Sequence, residues 1–281
     1  MGLKRGISSV CVQLGPDVRM FRAADGGPTR FPVTGLKSNT THLHPAPKAG
    51  NMILPAESNS ELATMFLLDI SISVLTYMAQ PHLLEFRVNG KKREYTPDIE
   101  AVVPLWFVEQ LLDGVPFVKT ALKMAARRAV DDPLITVVLE CKNGRGNESQ
   151  EYIEKLEEAS DLYYRYGYYY FILDDCLSAD INCDHLPSIL MDESAIVDHS
   201  AIRLALQHLE QNGGFTTYAA MMEAVGGGPL GREITNYLHI KGLIWADFSS
   251  DPLMREHLTT VAMPPLLGPQ RQAMARFAQQ E

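Results

Sequence analysis

The sequence lacks any uninterrupted apolar run near the roughly 20 residues that a membrane-spanning helix requires. Its N-terminus carries positive charge but no adequate apolar stretch or small-residue cleavage site, so we expect no signal peptide. Only four cysteines are present, and they form no C-x-x-C pair, which favours reduced thiols over a disulfide framework. These absences favour a soluble, cytoplasmic protein with no membrane partner.

Positive residues are also outnumbered, since 25 Lys and Arg face 34 Asp and Glu and the formal net charge is −9. This balance argues against a protein that binds nucleic acid over its whole surface. The first 50 residues differ, because they carry seven Lys and Arg residues and only two acidic ones. Residues 1–55 are also rich in Gly, Pro, Thr and Asn, with little periodicity. We predict a basic arm or loop region here, which either follows a phosphate backbone or is simply a solvated extension.

Residues 56–185 show the alternation of helix and strand patterns that is typical of a mixed α/β domain. Ser58 followed by Glu61 is a capping-box pattern and predicts a helix start. Asn89-Gly90 between two strand-like runs predicts a hairpin. The remaining predictions for this part are helix over 104–130 with a break near Gly114, strand over 134–141, helix over about 148–166, and strand in "YYYFILDD".

The pattern loosens into a predicted linker near Leu186 to Val197, and residues 196–281 then follow a different order. Asp198 predicts a helix cap, and Gly residues end the helix that follows. Three short helices, a strand and a loop predict a winged-helix domain. Its recognition-like helix region has only Arg232 and Lys241 as basic residues, which favours a protein partner over a DNA groove.

The stretch "ITVVLECK" ends a buried-looking strand with two opposite charges. Successive strand side chains point to opposite faces, so Glu140 and Lys142 share one face. Asp98, after Pro97, stands at a similar place on the preceding candidate strand. Two carboxylates at adjacent strand ends repel unless a cation lies between them, and hard oxygen ligands suit Mg²⁺ or Mn²⁺. The alternative is an exposed Glu-Lys pair and a turn-forming Pro-Asp.

A strand bearing P-D, then a strand bearing E-x-K, then a helix and a strand is the order of the PD-(D/E)xK nuclease core. Within that superfamily, "SNSELATMFLLDISISVLTYMAQPHLLEF" followed by "REYTPDIEAVV" resembles the TnsA-type endonuclease subunit of heteromeric transposases. The matching features are an acidic residue on a helix (Glu61), an apolar helix body to about Leu75, Gln80-Pro81 entering a strand, and the run from Arg93 to Asp98. The resemblance covers about residues 30–175 and, more loosely, the C-terminal winged helix.

The resemblance implies a restriction-endonuclease-like mixed sheet flanked by helices. It implies a nuclease centre of Glu61, Asp98, Glu140 and Lys142, with Asp98, Glu140 and the Cys141 carbonyl as metal ligands. The reaction would be Mg²⁺-dependent hydrolysis of a DNA phosphodiester, with Mn²⁺ as a substitute, at the 5′ strand of transposon ends. The implied partners are an integrase-like transposase subunit and an AAA+ ATPase regulator, the latter through the C-terminal domain.

One departure from the family is the length between Asp98 and Glu140, since 41 residues separate them. The helical stretch 104–130 is therefore interpreted as an insertion. Substitute carboxylates are Glu57 for Glu61 and Glu100 for Asp98. Asp131 and Asp132 are further alternatives, although their favoured role is to cap the start of the strand. Two other functions stay open: a stand-alone restriction- or repair-type nuclease, and a non-catalytic adaptor that binds DNA ends or a regulator.

Other polar clusters have simpler interpretations. The tyrosines between Tyr163 and Tyr170 could stack on bases, although packing against the sheet is favoured. His42 and His44 have metal-ligand spacing but fit a solvated pair. Arg93 could bind a phosphate or an acidic neighbour, and Arg145 in "NGRG" could approach DNA. The last candidate is a zinc site formed by Cys176, Cys183 and His185, although the spacing of these residues fits no familiar zinc-binding pattern.

Overall fold

The structure, a computed structural model, describes residues 6, 8–32, 40–88, 90–125, 132–142, 149–174 and 183–264. These residues form a mixed α/β protein with several sheets. The chain divides into two compact units. The first comprises Met1–Met65, Leu75–Val103 and Leu134–Leu177, and the second comprises Phe66–Val74, Pro104–Pro133 and Ser178–Glu281. Among the described residues, no helix has the length and apolar character needed to span a bilayer.

The first unit contains two four-stranded sheets and a two-stranded ribbon. One sheet has the order β1-β2-β6-β7 and is antiparallel, with β1 Ser9–Gly15, β2 Val18–Ala23, β6 Leu83–Val88 and β7 Lys91–Tyr95. The other has the order β10-β9-β8-β5, with β5 Thr76–Ala79, β8 Ile99–Pro104, β9 Leu134–Cys141 and β10 Tyr169–Leu173. In the ribbon, β3 His42–Ala46 pairs with β4 Met52–Ala56.

Strand β9 is central because its neighbours β8 and β10 cover both of its edges. β10 runs parallel to it, and Ile172 pairs with Glu140. The helix between them, α4 Gln150–Arg165, begins as predicted, with the Ser149 side chain accepting from Tyr152 N. An apolar cluster joins β9 and α4 to the other sheet. Its buried members are Val18, Met20, Leu84, Phe86, Tyr95, Val138, Leu156, Ala159 and Tyr163.

The expectation that residues 1–55 are mostly loop is wrong, because they hold β1 to β4 and a 3-10 turn at Pro47–Ala49. β2 is amphipathic: Val18 and Met20 are buried, whereas Arg19 between them pairs with Glu85 on β6. Of the seven cations that suggest an arm, Arg19 and Arg22 thus lie on a β-strand. Lys4, Arg5 and Lys37 lie outside the described residues.

Helix α1 spans Asn59–Ile70, so the start predicted near Ser58 is confirmed, but the extension to Leu75 is wrong. Leu75 N donates instead to Val102 O at 2.9 Å, because this stretch leads into β5. The predicted hairpin is confirmed as β6 paired with β7, with Gly90 at φ 76°. Asn89 lies outside the described residues.

The second unit contains the remaining helices. α2 Leu105–Leu112 and α3 Phe117–Leu122, with Gly114 at φ 78° between them, confirm the interrupted helical stretch as far as Leu122. Residues 123–125 are not helical, and residues 126–130 lie outside the described residues. The predicted linker contains α5 Leu186–Leu190 and a 3-10 turn at Met191–Ser194. The elements after it are α6 His199–Gln211, β11 Phe215–Thr217, α7 Tyr218–Ala224, α8 Gly228–Ile240, β12 Trp245–Ala246, a 3-10 turn at Pro252–Met254 and β13 Thr260–Ala262. The three strands form an antiparallel sheet in the order β11-β13-β12, and Asp198 caps α6 as predicted.

Candidate functional site

Glu140 and Lys142 form a buried ion pair at the end of β9. They lie on the same face as Val138, which packs in the apolar cluster with α4. Lys142 Nζ donates to Glu140 Oε1 at 2.7 Å, and the two side chains are only 17% and 4% exposed. The alternative of an exposed surface pair is therefore wrong, and the burial of two charges at a strand end needs an explanation.

Tyrosine hydroxyls complete the hydrogen bonding of Glu140. Tyr152 Oη donates to Glu140 Oε1 at 2.8 Å and accepts from Lys142 Nζ at 2.7 Å. Tyr95 Oη donates to Glu140 Oε2 and lies 3.0 Å from Tyr170 Oη. Together with Lys142, these contacts give the Glu140 carboxylate three donors. The Lys142 ammonium also lies 4.7 Å from the centre of the Tyr152 ring.

The electrostatics of this group keep Lys142 protonated. Burial lowers the pKa of Lys142, but the Glu140 carboxylate and the Tyr152 hydroxyl outweigh it, so the pKa lies above its usual value. Burial and the Glu140 charge raise the pKa of the Tyr152 hydroxyl. At neutral pH Lys142 is therefore a fixed cation, and Tyr152 is a neutral donor.

Asp98 immediately precedes β8, the strand next to β9. Its Oδ2 accepts from the backbone N–H of Cys141 at 2.8 Å, which ties this carboxylate directly to the end of β9. Among the described residues, its Oδ1 has no hydrogen-bond donor. Burial, followed by the charges of Glu140 and Glu61, raises the pKa of Asp98 well above its ordinary value. Asp98 therefore lies within the field of both other predicted carboxylates.

Glu61 has the capping role that its sequence pattern predicts. Its backbone N–H donates to Ser58 Oγ at 3.2 Å, and its carboxylate accepts from Ser58 Oγ at 3.1 Å and from Glu57 N at 2.9 Å. Glu61 is 5% exposed. Burial raises the pKa of its carboxyl; the charges of Glu57 and Glu140 add to that rise, while the two hydrogen bonds oppose it. The structure thus gives Glu61 a structural role and an electrostatic link to Glu140.

The carboxylate and carbonyl oxygens here are the donor type that a hard divalent cation prefers. The charge of Glu140 helps to raise the pKa values of Asp98 and Glu61, and Lys142 is the cation paired with Glu140. Oδ1 of Asp98 is open to a ligand, whereas a Glu140 oxygen would have to exchange a present donor. Within the described residues, no group of three or more His, Cys, Asp or Glu side chains is placed to hold a metal. Mg²⁺ commonly takes one or two carboxylates, waters and substrate phosphate, which suits Asp98, Glu140 and the Cys141 carbonyl.

Glu100, the substitute for Asp98, lies in a separate ion-pair network. It accepts two hydrogen bonds from Arg22 at 3.0 and 2.8 Å, and His82 Nδ1 lies 3.1 Å from its Oε2. Burial would raise the pKa of Glu100, but His82 and Arg22 lower it to about 2. His82 Nε2 in turn lies 2.6 Å from Tyr163 Oη. This arrangement favours Asp98 over Glu100 as the site carboxylate.

The tyrosine cluster packs in the core, as favoured from the sequence, but it also reaches the site. Tyr163 stacks on Tyr170 with ring centres 5.5 Å apart, and Tyr170 Oη lies 3.0 Å from Tyr95 Oη. Tyr166 and Tyr168 are partly buried against the same cluster, whereas Tyr164 is 82% exposed. Sequence reasoning missed Tyr95 and Tyr152 as partners of Glu140. Tyr95 belongs to the "REYTPD" run that carries the family resemblance, whereas nothing in the sequence marks Tyr152.

The other polar residues considered from the sequence have local partners where the structure describes them. Asp132 accepts from Trp106 N at 3.0 Å, and Glu57 pairs with Arg30 at 2.8 Å. His42 Nε2 lies 2.8 Å from Asn59 Oδ1. His44 is buried, so the interpretation as a solvated pair is wrong for this residue. Lys241 pairs with Glu193. Asp131 and Arg145 lie outside the described residues.

The candidate zinc site gains no support. Cys176 lies outside the described residues. Burial raises the pKa of the Cys183 thiol to about 11, which opposes the thiolate that zinc requires. His185 Nε2 lies 3.0 Å from Phe248 O.

No protein-family model matches the chain, and no curated protein matches it.

Proposed function

We propose that this protein is a metal-dependent DNA endonuclease of the TnsA type, a subunit of a transposition machinery. The observation that carries the proposal is the arrangement of Asp98, Glu140 and Lys142 around Cys141. Its backbone N–H holds Asp98, while the residues on either side of it, Glu140 and Lys142, form a buried ion pair. A fixed lysine beside two carboxylates at adjacent strand ends is the arrangement expected for metal-assisted phosphodiester hydrolysis.

The fold proposal accompanies the functional one. The sheet β10-β9-β8-β5 with α1 and α4 supports a restriction-endonuclease-like core that carries the site on β8 and β9. The order α6, β11, α7, α8, β12, β13, with a three-stranded antiparallel sheet, supports a winged helix.

Each site residue has a proposed task. Asp98 and Glu140, with the Cys141 carbonyl, would hold the metal, and Mg²⁺ or Mn²⁺ would supply Lewis-acid chemistry when bound. Lys142 would neutralise charge that develops on a phosphoryl oxygen, or orient the attacking water. Glu61 would adjust the local field from the start of α1. The water oxygen would attack phosphorus, the bond from phosphorus to the leaving oxygen would break, and that oxygen would take a proton from solvent, without a covalent enzyme intermediate.

The resemblance to TnsA-type subunits extends the proposal to partners and location. The substrate would be the 5′ strand at transposon ends, in the cytoplasm, beside an integrase-like transposase. An AAA+ ATPase regulator would contact the C-terminal domain, whose exposed apolar residues Leu204 and Met254 and few cations suit a protein partner better than DNA.

One observation favours a second candidate, a non-catalytic adaptor. Glu140 accepts three hydrogen bonds and is almost fully buried, so its carboxylate is satisfied without a metal. A purely structural polar cluster would have the same contacts. The two candidates differ in whether a divalent cation binds at this place.

The deciding experiment is a calorimetric Mn²⁺ titration of the full chain with a short DNA duplex present. Wild type is compared with Glu140→Ala and with Glu157→Ala, which changes an exposed glutamate on α4. We expect binding in wild type and Glu157→Ala and its loss in Glu140→Ala. Asp98→Ala and Glu140→Ala should each also abolish 5′-strand cleavage with the partner transposase present. Equal binding in all variants, or none in any, would favour the adaptor.

A further inference from the structure

Lys155 lies on α4, three residues after Tyr152, so the two side chains share one face of the helix. Its ammonium is 4.9 Å from the centre of the Tyr152 ring and 5.6 Å from that of Tyr95. The hydroxyls of these two rings hold Glu140. Lys155 is therefore placed beside the candidate nuclease centre, where the two ring faces favour a cation.

This half-buried lysine has no ion-pair partner among the described residues. Glu151, one turn earlier on α4, is engaged by Arg93 at 2.6 Å. Burial lowers the pKa of Lys155, and the neighbouring cations Lys142, Arg30 and Arg93 lower it further, while Glu140 raises it. An ammonium that is partly desolvated, with three cations and Glu140 as its charged neighbours, can still bind an anion through its free donors.

Arg93 provides a second cation for the same anion. It stands two residues before Tyr95 on β7, so both side chains point to the same face of the sheet. Its partner Glu151 is 73% exposed, and such exposed ion pairs contribute little. A ligand that offers a phosphate can therefore replace the Glu151 carboxylate on the Arg93 guanidinium at small cost.

We propose that Lys155 and Arg93 form a binding subsite for a backbone phosphate of duplex DNA, next to the one to be cleaved, with Glu151 occupying Arg93 until DNA binds. This inference rests on the proposed nuclease function. The lysine supplies a point charge held over the two rings, and the arginine supplies a planar pair of donors. Glu151 acts as an internal competitor for the same guanidinium.

The test measures binding of a fluorescent DNA duplex by anisotropy, on the full chain in EDTA, over a series of NaCl concentrations. Each phosphate contact contributes about 0.9 to the slope of log K against log salt. We expect Lys155→Met to weaken binding and reduce that slope by about one contact, and Lys155→Arg to retain it. The matched control is Lys119→Met, which removes one exposed charge from α3.

Glu151→Gln tests the competitor with the opposite sign. We expect tighter binding than wild type, because Arg93 is released, and no such gain in Glu157→Gln, which changes an exposed glutamate of the same helix. An unchanged slope in Lys155→Met, or equal effects of Lys155→Met and Lys119→Met, would overturn the subsite. So would a Glu151→Gln affinity no higher than that of Glu157→Gln.

Two further arms separate this inference from the nuclease proposal. Inorganic phosphate at matched ionic strength should not displace the duplex. Displacement that depends on Lys155 would assign the subsite to free phosphate instead. Mn²⁺ binding and cleavage are measured in parallel: retained metal-dependent cleavage with an unchanged salt slope contradicts the subsite alone. If Mn²⁺ neither binds nor supports cleavage, but Lys155→Met still reduces the salt slope, only the nuclease proposal is contradicted.

Discussion

The ammonium of Lys142 and the carboxylate of Glu140 lie 2.7 Å apart at the end of β9, and the Tyr152 hydroxyl contacts both. Each charge compensates the other in a place with little access to water. Removing one partner of such a pair leaves the other uncompensated, which is far more costly than losing a surface ion pair. In the proposed reaction, Lys142 exchanges part of this contact for a phosphoryl oxygen.

Tyr152→Phe should weaken the site without disrupting the core. The ring that packs near Lys142 and Lys155 remains, but the hydroxyl that accepts from Lys142 and donates to Glu140 is lost. We expect a loss of about 1–2 kcal/mol in the free energy of unfolding, measured with urea. Cleavage should fall several-fold because Lys142 is less well positioned. Tyr164→Phe, at an 82% exposed tyrosine of the same helix, should match wild type in both assays.

Glu100→Gln should destabilise the protein in a pH-dependent way. Since His82 and Arg22 outweigh burial and hold the folded-state pKa of Glu100 near 2, its ionised form stabilises the fold above the unfolded-state pKa of about 4.3. That stability is lost as the pH falls through about 4 towards 2. We expect a deficit of about 2–3 kcal/mol at pH 7 that shrinks below pH 4, measured by urea unfolding over the pH range. A deficit independent of pH would mean that packing, not charge, decides it.

Gly231→Ala should destabilise the second unit although alanine is the better helix former. A Cβ at this position of α8 would lie 2.3 Å from Met222 O, and a backbone atom cannot yield as a flexible side chain does. The helix-propensity gain of at most about 1 kcal/mol is outweighed by a strain of about 1–3 kcal/mol. Thermal unfolding should show a lower Tm, whereas Leu230→Ala, at an exposed neighbour, should leave it nearly unchanged.

The parts of this structure that the sequence predicts are those governed by local pattern. Side-chain alternation on β9 correctly places Glu140 and Lys142 on one face, and Ser58 with Glu61 correctly marks the start of α1. Asn89-Gly90 likewise predicts the pairing of β6 with β7. In each case the physical cause acts within a few residues of the pattern.

The parts that could not be predicted depend on distant contacts. Arg19 and Arg22 suggested a basic arm, but β2 pairs with β6, which lies far along the chain. The sequence pattern predicts a helix as far as Leu75, but Leu75 N donates to Val102 O. Tertiary hydrogen bonds override a weak helix propensity here. Tyr152 reaches Glu140 only because α4 packs on the face of β9 that carries Val138. No local pattern encodes that packing.

Asp98→Asn should make the metal-free protein more stable and inactive. Burial and the charges of Glu140 and Glu61 raise the folded-state pKa of Asp98, so the folded state binds the proton more tightly than the unfolded state does. Wild-type stability therefore falls as the pH rises from about 4 through the raised pKa, and Asn, which keeps an oxygen for the Cys141 N–H, avoids this loss. Urea unfolding in EDTA should show Asp98→Asn above wild type at pH 7, with the gain vanishing near pH 4. Adding Mg²⁺ should stabilise wild type and leave Asp98→Asn unchanged, because ligands that bind only the folded state raise its stability. A variant less stable than wild type at pH 7 would show that the Asp98 charge supports the fold instead of straining it.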